Sequence, residues 1–170
     1  MDTIPAGKYL AEEQIVAELA HLGLGYLSRA SDQEPTPGVR PPAQLLADLV
    51  RQPSSRVRTA IIPLLLEHPE YAAFVPQAVA RLHGSRRRLL EVFYTAAVFL
   101  QRKHEARLSI IQGEAFLGLL DLFSQKFGIP SDLSPDESLD KLAQRHQELT
   151  DIVANWSGTY ENAVQHWLRL

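Results

Sequence analysis

Gln52-Pro53-Ser54-Ser55-Arg56-Val57-Arg58-Thr59-Ala60-Ile61-Ile62-Pro63-Leu64-Leu65-Leu66-Glu67-His68-Pro69 is the stretch that decides how this chain folds. Before it, Ala43 to Arg51 carries Leu45, Leu46, Leu49 and Val50 at helical spacing, and Pro53 ends that helix. Ser54 or Ser55 can cap the next helix with its hydroxyl oxygen, because first-turn amides have no partner inside a helix. Pro63 falls within the apolar run, where it removes a backbone hydrogen bond and should bend the helix. Pro69 opens a further helix at its first position, with Glu70 in the first turn. Tyr71, Phe74, Val75 and Val79 are expected on its buried face, and Pro76 repeats the internal proline. None of these segments can bury its apolar face alone, so the remaining chain should pack around them.

Upstream, Tyr9 to Leu22 places Leu10, Ile15, Leu19 and Leu22 near one helical face, with Val16 beside them. Glu12, Glu13 and Glu18 fall on other faces. Gly23 and Gly25 stop the helix, and His21 suits the negative end of its dipole. Residues 28–42 hold four prolines and one glycine, the composition of a linker. The expected organisation is an N-terminal helix (1–27), a Pro-rich linker (28–42) and a helical domain (43–170).

Downstream, Gly84-Ser85 separates two helices. The second, Arg86 to Ile111, repeats Leu89, Val92, Phe93, Ala96, Leu100 and Leu108 at spacings of three and four, and is the expected core axis. Gly113 ends it. A helix over Glu114–Phe127 would turn Phe116, Leu119, Leu120 and Phe123 inward, with Gly128 and Pro130 as its stop. Ser134-Pro135-Asp136-Glu137 has the form of a capping box with proline at the first helical position. Its helix should run to about Leu149, with Leu139, Leu142, Ala143 and His146 on one side. Trp156, Tyr160, Val164 and Trp167 form a last helical stripe across Gly158–Leu168. No segment alternates as a strand would. The expected fold is all-α, a compact bundle of about eight helices with a helix pair at its centre.

At 170 residues, 45% apolar and 22% charged, the chain matches a globular domain burying roughly 70% of its unfolded surface. Cysteine is absent, which excludes disulfides, thiol nucleophiles and thiolate metal sites. The first residues lack the basic and apolar regions of a signal peptide, and no apolar run approaches the ~20 residues of a membrane span. These features read as a soluble cytoplasmic protein with no membrane partner.

Local catalytic patterns are missing too. There is no Gly-x-Ser-x-Gly elbow, no phosphate-binding Gly-x-x-x-x-Gly-Lys loop and no His-Glu-x-x-His. The six histidines, at 21, 68, 83, 104, 146 and 166, never lie three to five residues apart, so no helical metal pair forms. Asp132, Asp136, Glu137 and Asp140 read as negative charge at a helix N-terminus in preference to an oxygen site for a hard cation. No catalytic residue, metal or cofactor is assigned.

The net charge of −3 is polarised. Residues 1–39 hold two basic and six acidic side chains, residues 40–107 eleven and five, and residues 108–170 four and nine. A basic middle between acidic ends fits either an anionic partner or self-complementarity, within one chain or between two copies. Arg81, His83, Arg86, Arg87 and Arg88 surround the Gly84-Ser85 corner, and Arg102, Lys103 and Arg107 follow. Arginine forks and free helix N-terminal amides suit phosphate and carboxylate. Three consecutive arginines fan around a helix, however, and no aromatic residues interleave with them as nucleic-acid stacking would need. Arg56, Arg58, Arg81, Arg86, Arg87 and Arg88 are the candidate partner-binding residues.

Ser55-Arg56-Val57-Arg58-Thr59-Ala60, followed by leucines and preceded by Leu45 to Val50, resembles one HEAT-type helix pair. It covers roughly 25 residues, without a second copy. Gln-Pro-Ser-Ser-Arg-Val-Arg, Phe-Tyr-Thr-Ala-Ala-Val-Phe-Leu-Gln and Asn-Trp-Ser-Gly-Thr-Tyr-Glu are similar to strings in an uncharacterised family of bacterial all-helical proteins. Members of that family accompany minimal nucleotidyltransferases, as toxin–antitoxin-like partners do. The resemblance implies a binding role, as inhibitor or regulatory subunit, and transfers no catalytic residue. The sequence thus reads as a non-enzymatic protein-interaction module. The alternatives are a nucleic-acid-binding regulator using the basic middle, and an enzyme with a site between helices.

Overall fold

Two prolines set where the helices of the central stretch break. A proline ring excludes the carbonyl four residues earlier and offers it no hydrogen. In the computed structural model, which describes residues 6–27, 40–150, 152 and 155–168, the carbonyl four before Pro63 is that of Thr59. It accepts instead from Ile62, three residues on, at 3.1 Å. The carbonyl four before Pro76, that of Ala72, likewise accepts from Val75. Each proline is thus preceded by a tightened turn that starts a new helix. The bend expected at Pro63 becomes a division into Ser55–Arg58 (α3) and Ile61–Glu67 (α4), so the expected second helix of a pair is split in two.

The remaining elements are Ala6–His21 (α1), Pro42–Val50 (α2), Val75–Ala80 (α5), Gly84–Lys103 (α6), Glu105–Gln112 (α7), Pro135–Thr150 (α8) and Trp156–Leu168 (α9). Short 3₁₀ turns cover Gly25–Leu27, Pro69–Phe74 and Gly113–Ala115. The described residues are all-α, with no strand among them. Ser54 caps α3 by accepting from the Val57 amide. The capping box forms as expected: the Glu137 amide donates to Ser134 Oγ at 3.2 Å and the Ser134 amide to Glu137 Oε2 at 3.1 Å. α1 closes on Gly23 at φ +95°, with Leu24 donating back to Leu19 and Gly23 to Ala20.

α6 is the core axis. Every residue from Leu90 to Gln101 is buried, so this helix is enclosed on all sides. It packs against α8 and α4, and also touches α2, α5 and α7. Ile15 and Leu19 of α1 join the same core as Leu45, Leu46 and Leu49 of α2 and Tyr160 and Val164 of α9. The N-terminal helix therefore docks on its own chain. Most of the Pro-rich linker, residues 28–39, lies outside the described residues, as do the side chains of Leu10 and Trp167. No helix among the described residues is long and apolar enough to cross a membrane.

Four expectations are corrected. Glu18 does not face outward; it is buried and meets Arg40, whose Nε lies 2.9 Å from Glu18 Oε2 and whose backbone amide donates to Oε1 at 2.9 Å. The helix over 86–111 bends at His104, where Lys103 and His104 both reach Glu161 of α9. Phe74 is exposed, because the 3₁₀ turn ahead of Val75 interrupts the face that a steady 3.6-residue period would carry through it. The helix over 114–127 does not form, and Leu120 points outward instead of inward.

Candidate docking surface: a strap gripped by the central helix

Where a helix was expected, residues 116–129 run as a non-helical strap across α6. Its hold is a polar stripe on α6 itself. Glu91, Tyr94 and Gln101 are spaced three and seven apart, which aligns them on one helical face. Gln101 spans a short piece of strap backbone: its Nε2 donates to the Leu117 carbonyl at 2.8 Å, and its Oε1 accepts from the Leu119 amide at 2.7 Å. The Tyr94 hydroxyl donates to the Leu120 carbonyl at 2.5 Å, and its ring meets Phe123 edge-on. Burial, with Asp121 nearby, pushes the Tyr94 phenol up to about 12, so it remains a donor at neutral pH. Glu91, buried, pairs with Lys126 of the strap at 2.5 Å and with Arg87 at 3.3 Å. Gly128, at φ +69°, turns the strap towards α8, and Arg145 of that helix donates to the Phe127 carbonyl at 3.0 Å.

A non-helical backbone next to a core must find partners for its amides and carbonyls, and here side chains of α6 provide them. With its backbone satisfied, the strap is free to divide its apolar residues between two sides. Leu119, Phe127 and Ile129 go into the core, and Phe116 and Phe123 are half-buried. Leu117 and Leu120 face solvent at 54% and 75% exposure, with Leu122 also exposed. Immediately before the strap, Ile110 and Ile111 on α7 are exposed at 83% and 57%. Five large aliphatic side chains are therefore presented to water between residues 110 and 122. Burying one such side chain is worth about 1.5–3 kcal/mol, and single exposed leucines are ordinary. A run of them on a pinned segment is the pattern of a contact surface.

The arginines singled out by the sequence have mostly local work. Arg58 and Arg86 converge on the end of α2: Arg86 donates to the Val50 carbonyl at 2.9 Å, and Arg58 to those of Gln52 and Pro53 at 2.8 and 2.7 Å. They satisfy carbonyls that a helix C-terminus leaves open, where positive charge is favoured. Burial, with Arg86 close by, holds Arg58 below the ordinary guanidinium value. Arg56 donates to the Tyr26 carbonyl and Arg87 pairs with Glu91. Arg51, which the sequence did not single out, reaches the Arg81 carbonyl at 2.9 Å. The side chains of Arg81 and Arg88 are exposed and unpaired among the described residues.

Of the acidic cluster, Glu137 caps α8 and Asp136 pairs with Lys103 at 2.7 Å. No three His, Asp or Glu side chains among the described residues are grouped to hold a metal. The residues that sequence reasoning missed are Glu91, Tyr94 and Gln101. A signal for them exists: three polar side chains on one stripe of the expected core axis must each meet something. No protein-family model, curated protein or solved structure compared with this chain matches it.

Proposed function

We propose that this chain is a protein-interaction module, with the aliphatic run Ile110–Leu122 as its contact surface. The reading rests on one observation: Leu117, Leu120 and Leu122 are exposed on a strap whose backbone is held from beneath by Tyr94 and Gln101, directly after the exposed Ile110 and Ile111 of α7. A pre-ordered apolar surface loses little conformational freedom on binding, which favours association. The partner is a protein with a complementary apolar patch. The resemblance to companions of minimal nucleotidyltransferases supports a nucleotidyltransferase-type protein in that role, with this chain as its cytoplasmic regulatory or antitoxin-like subunit. The exposed and unpaired Arg81 and Arg88 steer the encounter more than they hold the complex.

Affinity purification of the tagged chain from its native host, repeated at rising salt, tests this reading. An apolar interface predicts a stoichiometric partner retained as salt increases, with mass spectrometry identifying a nucleotidyltransferase-type protein. A chain that elutes alone at every salt concentration would contradict it. Recovery of nucleic acid alone, lost steeply with salt through counterion release, would favour the basic middle as the functional surface instead.

A further inference from the structure

The strap presents backbone as well as side chains. In a parallel strand pair, one residue bonds the carbonyl before and the amide after the residue opposite it. The Gln101 carboxamide makes that same pair of bonds, to the Leu117 carbonyl at 2.8 Å and from the Leu119 amide at 2.7 Å. Gly118 lies between them. Phe116, which leads into this piece, has extended backbone at φ −62° and ψ 126°, and residues 116–122 form neither helix nor turn. Successive peptide groups of an extended chain point to opposite edges, so the N–H and C=O of Gly118 are turned away from α6. Neither has a hydrogen-bond partner among the described residues, and Gly118 is exposed. A Cβ added there would meet nothing within 4 Å.

α6 therefore fills one edge of the strap and leaves the other open. Folded proteins guard such edges with charge or proline. Ala115-Phe116-Leu117-Gly118-Leu119-Leu120 contains neither. A glycine in an extended segment also marks a place where another backbone can approach closely. Leu117 before it and Leu120 after it carry their side chains into solvent.

We propose that the partner docks by adding an extended segment to this free edge. Its main chain pairs with the N–H and C=O of Gly118, and its apolar side chains cover Leu117 and Leu120. In such strand addition the backbone bonds supply affinity and the side-chain contacts specificity. The inference rests on the strap being the docking surface and adds the form of the segment that it receives. A helix laid over the leucines would cover the same apolar side chains and leave the Gly118 amide unpaired.

Hydrogen exchange at single-residue resolution, on the complex purified from the native host and on the unbound chain, tests this. The Gly118 amide, open in the unbound chain, should slow about tenfold or more in the complex. Gly118→Ala keeps the N–H and puts its methyl into open space, so partner recovery should be unchanged. Gly118→Pro removes the N–H and sets its ring against the edge, so recovery should be lost while the Leu119 amide stays protected. If that variant displaces the strap, exchange in the unaltered complex decides. Fast exchange at Gly118 in a recovered complex, or equal recovery with Gly118→Pro, would overturn strand addition and leave the docking surface standing. Failure to recover any partner would overturn both. Protection of Gly118 in the chain alone, lost on dilution, would put a second copy on the edge and overturn its assignment to a different protein.

Discussion

Tyr94 and Leu120 are tied through one atom and turned apart in the rest. The Tyr94 hydroxyl, inside the core, donates to the Leu120 carbonyl at 2.5 Å, while the Leu120 side chain is 75% exposed. An unanchored leucine would move towards apolar cover. Here the backbone is held and the side chain is left at the surface.

Gln101 carries the largest share of that anchoring, because it meets a donor and an acceptor together. Gln101→Leu would leave the buried Leu119 amide and the Leu117 carbonyl without partners. The expected loss is about 2–4 kcal/mol, from one unmatched group of each kind. Urea denaturation measures it, and amide exchange at Leu119 should accelerate. A change within about 0.5 kcal/mol, the range of ordinary surface substitutions, would mean that the strap is held by packing alone.

Glu18 and Arg40 fasten α1 to the body beyond the linker. Arg40→Ala leaves the Glu18 carboxylate buried without its counter-ion, an arrangement that costs about 3 kcal/mol or more. Replacing both partners, as Glu18→Leu with Arg40→Met, should be markedly milder, because the buried carboxylate goes with its counter-ion and Asp48, the other partner of Arg40, keeps Arg51. Equal destabilisation by the single and double replacements would show that the pair's worth lies elsewhere.

His146 should give the fold an acid-sensitive range. Its folded pKa is lowered from 6.5 to about 4 by burial. Between those values the unfolded chain takes up a proton that the folded chain refuses. Stability is therefore full above the unfolded value and falls as pH drops through the interval, by roughly 3 kcal/mol at the limit. Denaturation curves at several pH values, with an NMR titration of His146, check this. A His146 that titrates near 6.5 would contradict it.

What could be read from the sequence was local. The capping box at Ser134–Glu137, the cap at Ser54 and the buried faces of α2 and α8 depend on residues within a turn or two of one another, so spacing alone revealed them. The strap depends on groups far along the chain. Phe116, Leu119, Leu120 and Phe123 have helical spacing, and nothing within 114–127 reveals that Gln101 and Tyr94 take over its backbone. The local partners of the arginines were hidden for a related reason. Their partners are carbonyls of Val50, Gln52 and Pro53, and any residue type supplies a carbonyl. Glu18 was assigned outward by period, since only the folded chain brings Arg40 to it.

The aliphatic surface should be dispensable for folding and needed for binding. Leu117→Asp with Leu120→Asp removes no buried contact and adds charge to an exposed face, so the unfolding free energy should change by no more than about 1 kcal/mol.

The most direct test of the strap as a docking surface compares this double variant with the unaltered chain in the native host, both tagged and purified in parallel. The surface predicts a stoichiometric partner with the unaltered chain, its loss with Leu117→Asp/Leu120→Asp, and its retention with Arg56→Ala. Equal recovery of the partner by the double variant, with its fold intact, would contradict the claim.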